Sequence, residues 1–236
     1  MILSAHQSSY LPWLGFFHKI YLSETFVFFN SVQYSKKDFS SRNLIKTSGG
    51  TQWLTIPTIT RGLYTQKIYD VRIENNYWQK KHFKSILNAY NNSKFFDYYS
   101  EKLSNLYNKK YKFLVDANLD FTKFFFDSLG INTKTLNSTD FNWQGTKNEL
   151  IVNMCKELDA SDYIFGELGN SYVNKELFES NGIRVHFQKY NHPAYSQLHG
   201  TFIPRLSVLD LLLNEGPGSL DIILAGNLVK LPNAES

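Results

Sequence analysis

The sequence predicts an α/β fold, a mainly parallel sheet with flanking helices and a helical insertion at about residues 78–130, within one domain over 1–236. Three observations carry this. Strand, turn, helix and strand signals follow one another within the first 30 residues, an order that favours parallel pairing. From Trp78 to Leu129 apolar residues recur every three or four positions, the spacing of amphipathic helices. The final third returns to a β-α-β-α-β rhythm.

Taken in order, Ile2-Leu3-Ser4-Ala5 reads as a short buried strand. Pro12 suits the first turn of a helix, so a helix is expected over Pro12–Leu22. Thr25–Phe29 is a second strand of β-formers. The segment "QYSKKDFSSRNLIKTSGG" reads as a polar, basic loop. Trp53–Pro57 is strand-like, and the alternating "KIYDVRI" of Lys67–Ile73 is expected to pair with it. Apolar positions such as Phe83, Ile86, Leu87 and Tyr90, then Phe95, Tyr98, Tyr99, Leu103 and Leu106, mark two helices. Tyr111–Phe126 continues as a third, with Gly130 as its stop signal. Strands at Thr133–Leu136, Tyr163–Phe165 and Arg184–Gln188 then alternate with helices at Thr146–Leu158 and Val173–Glu179. Neither an internal repeat nor a low-complexity linker divides the chain.

Composition excludes several classes. Apolar residues make up 42% and charged residues 19%, a globular balance. The net charge of +4 is spread over short runs such as Lys36-Lys37 and Lys109-Lys110-Tyr111-Lys112. Nucleic-acid binding needs a clustered basic stripe, so no nucleic-acid partner is expected. Cys155 is the only cysteine, which rules out an intrachain disulfide and favours a cytoplasmic protein. His6, Gln7 and Lys19 interrupt the first apolar run, so no signal peptide is read there. The apolar run Leu206–Leu213 contains Asp210 and falls short of the roughly 20 residues of a membrane span. A soluble protein is expected.

Three stretches carry candidate chemistry. In open α/β sheets ligands collect beyond the carboxyl ends of strands, which places His6, Gln7, Tyr10 and Trp13 well. His6 there is either a general base or a histidine bonded to backbone beside core aromatics; His18, inside the helix, reads as surface or capping. The second stretch offers Lys36, Lys37, Arg42, Asn43 and Lys46. Arg42 can grip phosphate through paired hydrogen bonds and Asn43 can fix a hydroxyl, or the loop is simply solvated. The third, "YNHPAYSQLHGTFIPRLSVLDLL", crowds His192, Tyr195, Gln197 and His199 ahead of Ser207, an N-cap for the helix bearing Asp210. Asp210 either pairs catalytically with one of these histidines or belongs to the helix cap. The His192/His199 spacing matches no zinc signature, so no metal is expected. Phosphate-loop, dinucleotide and nucleophile-elbow motifs are absent. "YIFGELGNSY" holds two glycines after a strand, a weak phosphate-loop signal, and Cys155 reads as core.

Together these stretches resemble the WbqC-like proteins. The resemblance rests on His6-Gln7, Tyr10-Leu11-Pro12-Trp13, Gly15-Phe16 and Lys19-Ile20, then Val32-Gln33-Tyr34, Arg42-Asn43 and Trp53–Pro57. It continues through Tyr163–Gly166 with Tyr172, His192-Pro193-Tyr195-Gln197 and Ser207–Asp210. Phe165-Gly166 departs from the family's usual Ser-Gly. The resemblance implies a cytosolic step of bacterial O-antigen or surface-polysaccharide biosynthesis on a sugar nucleotide. Site chemistry then suggests N-acylation or N-aminoacylation of a sugar amine. His6 or His192 would be the base, with Asp210 in the catalytic set. Gln7, Tyr10, Trp13, Arg42, Asn43, Tyr172, Tyr195 and Gln197 would bind substrate. No cofactor is expected to be tightly bound; the acyl or aminoacyl donor would be a co-substrate. Two alternatives stand beside it. A His-bearing turn, a glycine and a basic helix end are faintly similar to the His-Gly-His of nucleotidyl-transfer folds. A non-catalytic nucleotide-sugar-binding protein is the other.

Overall fold

The computed structural model describes residues 1–231. Five parallel strands form the main sheet: β1 (Ile2–His6), β2 (Thr25–Phe28), β5 (Lys134–Asn137), β6 (Asp162–Phe165) and β7 (Arg184–Phe187), in the order β5-β2-β1-β6-β7. The chain builds outward from β1 through β2 to β5, then crosses back and builds outward through β6 to β7. The order therefore reverses between β1 and β6. In such sheets the loops after the two strands diverge there and leave a crevice at the carboxyl edge.

Alternation along the strands sends side chains to two cores. On one face Phe26 and Phe28 meet α1 (Leu14–Tyr21), α4 (Leu114–Leu129) and α7 (Val208–Glu215). On the other, Leu3, Val27 and Phe165 meet α5 (Asn148–Glu157) and α6 (Lys175–Glu179). Cys155 is wholly buried in this second core, and burial pushes its thiol up to about 12, which makes it a packing residue. Between β2 and β5 lie α2 (Tyr77–Tyr90), α3 (Phe96–Asn108) and α4, the expected helical insertion. Gly130 closes α4 at φ 70°, a left-handed cap that favours glycine. The short α8 (Ser219–Leu224) packs against α1.

Three local expectations are corrected. The first helix begins at Leu14, capped by Trp13, because Leu11 turns the chain at φ 47° and leaves Pro12 outside it. The "basic loop" contains β3 (Arg42–Thr47), paired antiparallel with β4 (Gly50–Thr55) through the turn Ser48-Gly49. Lys46 is only 1% exposed, so a buried lysine disguised a strand as a solvated segment. Lys67–Ile73 is not a strand; it holds a 3₁₀ turn at Ile68–Asp70 and makes only isolated bridges.

Candidate functional site

β1 ends on His6, an exposed residue whose ring meets the Phe16 ring edge-on at 5.4 Å. Its Nδ1 lies 2.9 Å from the Gln7 carbonyl oxygen. A carbonyl only accepts, so the bond fixes the proton on Nδ1 and leaves Nε2 as a free lone pair. Desolvation by the protein packed around the ring, then the Lys19 charge, holds the pKa down at about 4, so the imidazole is neutral at pH 7.

Sequence reasoning passed over Lys19 as a site residue. It is 5% exposed, and its Nζ donates to the Ala5 carbonyl at 2.9 Å. Desolvation lowers its pKa to about 8. A lysine in the last turn of a helix ordinarily reads as a solvated complement to the helix dipole. The available signal was its place three residues after the core Phe16, on the helix face turned towards the sheet.

The carboxyl edge of the sheet gathers other candidates. Trp13 folds over the first turn of α1, where a Cβ on Gly15 would come within 2.4 Å of its ring. The same indole stacks on His192, centroids 6.4 Å apart and 18° between planes, and His192 stacks in turn on Tyr195. His192 has both nitrogens occupied: Nδ1 is 2.9 Å from the Pro193 carbonyl, and Nε2 accepts the Arg205 N–H at 3.1 Å. Gln7 is half-buried beside His6, and Tyr172 is exposed beyond β6. His18 is buried rather than at the surface: its Nδ1 pairs with the Gln188 amide at 2.9 Å, and its Nε2 with the Leu228 carbonyl at 2.8 Å.

Three other candidates, Tyr10, Asn43 and Asp210, are buried. Tyr10 is fully buried, with its hydroxyl 2.9 Å from His82 Nδ1 and 2.6 Å from the Tyr107 hydroxyl. Asn43 is 1% exposed; its amide donates to the Leu11 carbonyl at 2.6 Å and so holds the positive-φ turn of the opening loop. Asp210 is fully buried and pairs with no histidine among the described residues. It accepts instead from Tyr90 and Tyr195, each at 2.8 Å. Burial raises its pKa, against the pull of those hydroxyls and the Lys46 charge. Lys46 Nζ donates to Gln197 Oε1 at 3.1 Å and to the Thr201 carbonyl at 2.6 Å. The half-buried Tyr195 and Gln197 thus join the buried Lys46 and Asp210 in one network that fixes the third stretch against the hairpin. Ser207 caps α7 as expected, accepting from the Leu209 N–H at 3.1 Å. Arg42 stays on the hairpin, with its guanidinium 4.2 Å over the Trp53 ring. The hairpin is tied to the opening loop where Tyr10 N–H donates to the Phe39 carbonyl at 3.0 Å.

Two expectations follow from the buried tyrosine–histidine pair. Tyr10→Phe leaves groups of His82 and Tyr107 unpaired and should cost about 1–3 kcal/mol in urea unfolding, with ligand affinity unchanged. His82 is 6% exposed, and burial lowers its pKa to about 4. The unfolded chain therefore binds more protons than the folded one between about pH 6.5 and 4. Stability should fall as pH drops through that window, and the fall should be shallower in His82→Asn when urea midpoints are measured against pH.

Open clefts of about 380 and 360 Å³ lie elsewhere, one between Arg72–Asn76 and Lys110–Lys112, the other between α4 and the β2–β5 edge. Neither contains a candidate named above. Among the described residues no group of three or more His, Cys, Asp or Glu could hold a metal, and no helix is long and apolar enough to cross a membrane.

Comparison with known proteins agrees with the opening signature. The model of the WbqC-like protein family matches residues 7–222. Uncharacterized protein Rv1507c of Mycobacterium tuberculosis is 34% identical over 219 residues, covering 92% of this chain and 95% of that protein. No solved structure is matched significantly.

Proposed function

Because the chain belongs to the WbqC-like protein family, we propose that it is a cytoplasmic transferase acting on a nucleotide-linked amino sugar of bacterial O-antigen or surface-polysaccharide biosynthesis. The reaction is N-acylation or N-aminoacylation of the sugar amine. The observation that carries this reading is the free Nε2 of His6, at the strand edge where the sheet order reverses. The amine nitrogen attacks the acyl carbon of the donor and passes its proton to Nε2. The bond between that carbon and the donor's leaving group breaks, and the leaving group takes the proton back. The Nδ1 bond to Gln7 holds the ring in the tautomer this transfer needs. Gln7, Trp13, His192 and Tyr172 lie along the same edge to receive the sugar, and Arg42 offers a cation from the hairpin.

The test is product mass after incubation with nucleotide-linked amino sugars and an acyl or aminoacyl donor. A gain equal to the acyl group supports the reading. Pyrophosphate release from a nucleoside triphosphate would instead establish nucleotidyl transfer, which the parallel order and a histidine after β1 also suit. Thermal stabilisation by a nucleotide sugar with neither product would leave a binding protein.

A further inference from the structure

The two central strands part company at their carboxyl ends. β1 pairs with β6 only from Ile2↔Asp162 to Ser4↔Ile164. It stays with β2 through His6↔Phe28, while β6 stays with β7 through Phe165↔Phe187. Beyond Ser4 the β1–β6 ladder is therefore open, and the fork lies at the reversal of strand order. Lys19 reaches into this fork from α1 and takes up the Ala5 carbonyl.

That bond leaves the ammonium underused. It carries three N–H donors, and among the described residues the Ala5 oxygen is its one acceptor. No carboxylate of the described residues lies within 4.0 Å of it. A buried cation without a counter-charge is expensive unless a ligand supplies one. The contrast with Lys46 is direct, since that ammonium is met by Gln197, Thr201 and the nearby Asp210. His6 lies close enough for the Lys19 charge to act on its ring.

We propose that Lys19 receives a phosphate group, the diphosphate of a nucleotide ligand, in the fork between β1 and β6, leaving His6 beside it as the base. Lys19 is the fixed cation. His6 keeps its neutral tautomer, with Nδ1–H on the Gln7 carbonyl and Nε2 left free for the sugar amine. No covalent bond changes. The ligand's charge offsets that of Lys19, the charged group acting on the imidazole. This deepens the reading above by assigning the group that holds the substrate's diphosphate. It is read by binding alone.

The experiment titrates inorganic pyrophosphate, and a nucleoside diphosphate beside it, into the whole protein at low ionic strength. Calorimetry measures affinity, and NMR follows the His6 Hε1 resonance from pH 4 to 8. Saturable binding with an upward displacement of the His6 titration is expected. Lys19→Met should weaken the binding at least tenfold. Equal affinity in Lys19→Met, with only a lower melting temperature, would show Lys19 to be a structural cross-link and overturn the proposal. So would an unmoved His6 titration, or the absence of saturable binding. Should Lys19→Met not fold, the NMR titration of the natural protein decides alone. Pyrophosphate binding without acyl transfer would sink the proposed reaction and leave this site standing. Acyl transfer without Lys19-dependent binding would do the reverse.

Discussion

Alanine at position 6 is expected to lower turnover by about 10²- to 10⁴-fold, the usual contribution of a positioned general base, while the fold stays intact. The side chain is exposed, so its removal opens no cavity. The backbone at His6 is fixed independently, through pairing with Phe28 and the Phe29 N–H bond to the His6 carbonyl at 2.8 Å. His6→Asn sharpens the test. An asparagine amide can keep the hydrogen bond to the Gln7 carbonyl but supplies no atom at Nε2, so it should be as inactive as alanine. Melting temperature should be unchanged in both, and kcat should fall far more than KM rises. Full turnover in either variant would show that the proton goes elsewhere.

Asp210→Ala is expected to be strongly destabilising, at about 3–5 kcal/mol, since two hydroxyls lose a charged acceptor at about 1.5–3 kcal/mol each. The variant strands the hydroxyls of Tyr90 and Tyr195 and removes a negative charge that acts on Lys46. The Tyr90 hydroxyl also accepts the Lys46 backbone N–H at 3.0 Å, so damage passes into the hairpin. For a domain of this size the loss corresponds to a melting temperature lower by roughly 6–20 °C. Urea unfolding measures it directly, and a loss below about 1 kcal/mol would mean that the network relaxes around the gap. Activity per folded molecule should stay near normal, which separates Asp210 from the group that moves the proton.

Much of the fold was legible because its signals are local. Ile2–Ala5 and Thr25–Phe29 are runs of strand formers, and Gly130 supplies the positive φ that ends α4. The hairpin was missed because its strand contains Lys46, whose burial depends on carbonyls about 150 residues away. His6 could be placed from its position after a strand alone. Tyr10 looked equally well placed, yet it points into the helical insertion, towards His82 and Tyr107. Nothing within a few residues of Tyr10 encodes that partner set. Asp210 shows the same limit: its histidine neighbours in sequence are not its neighbours in space. Lys19 was hidden for the opposite reason, since a charged residue near a helix end looks solvated until the strand beneath it is known to fork.

The central place of β1 has a consequence for how the protein is made. β1 meets β2 after about 20 residues but finds β6 only about 160 residues downstream. At ribosomal speeds of about 5–20 residues per second, that is a wait of roughly ten to thirty seconds. Throughout it, the strand destined for the middle of the sheet is an edge, with unpaired peptide groups and Leu3 uncovered, the kind of surface that templates aggregation. Newly made chains are therefore most exposed to misassembly before Phe165 leaves the ribosome, so the speed of translation between β2 and β6 bears on yield.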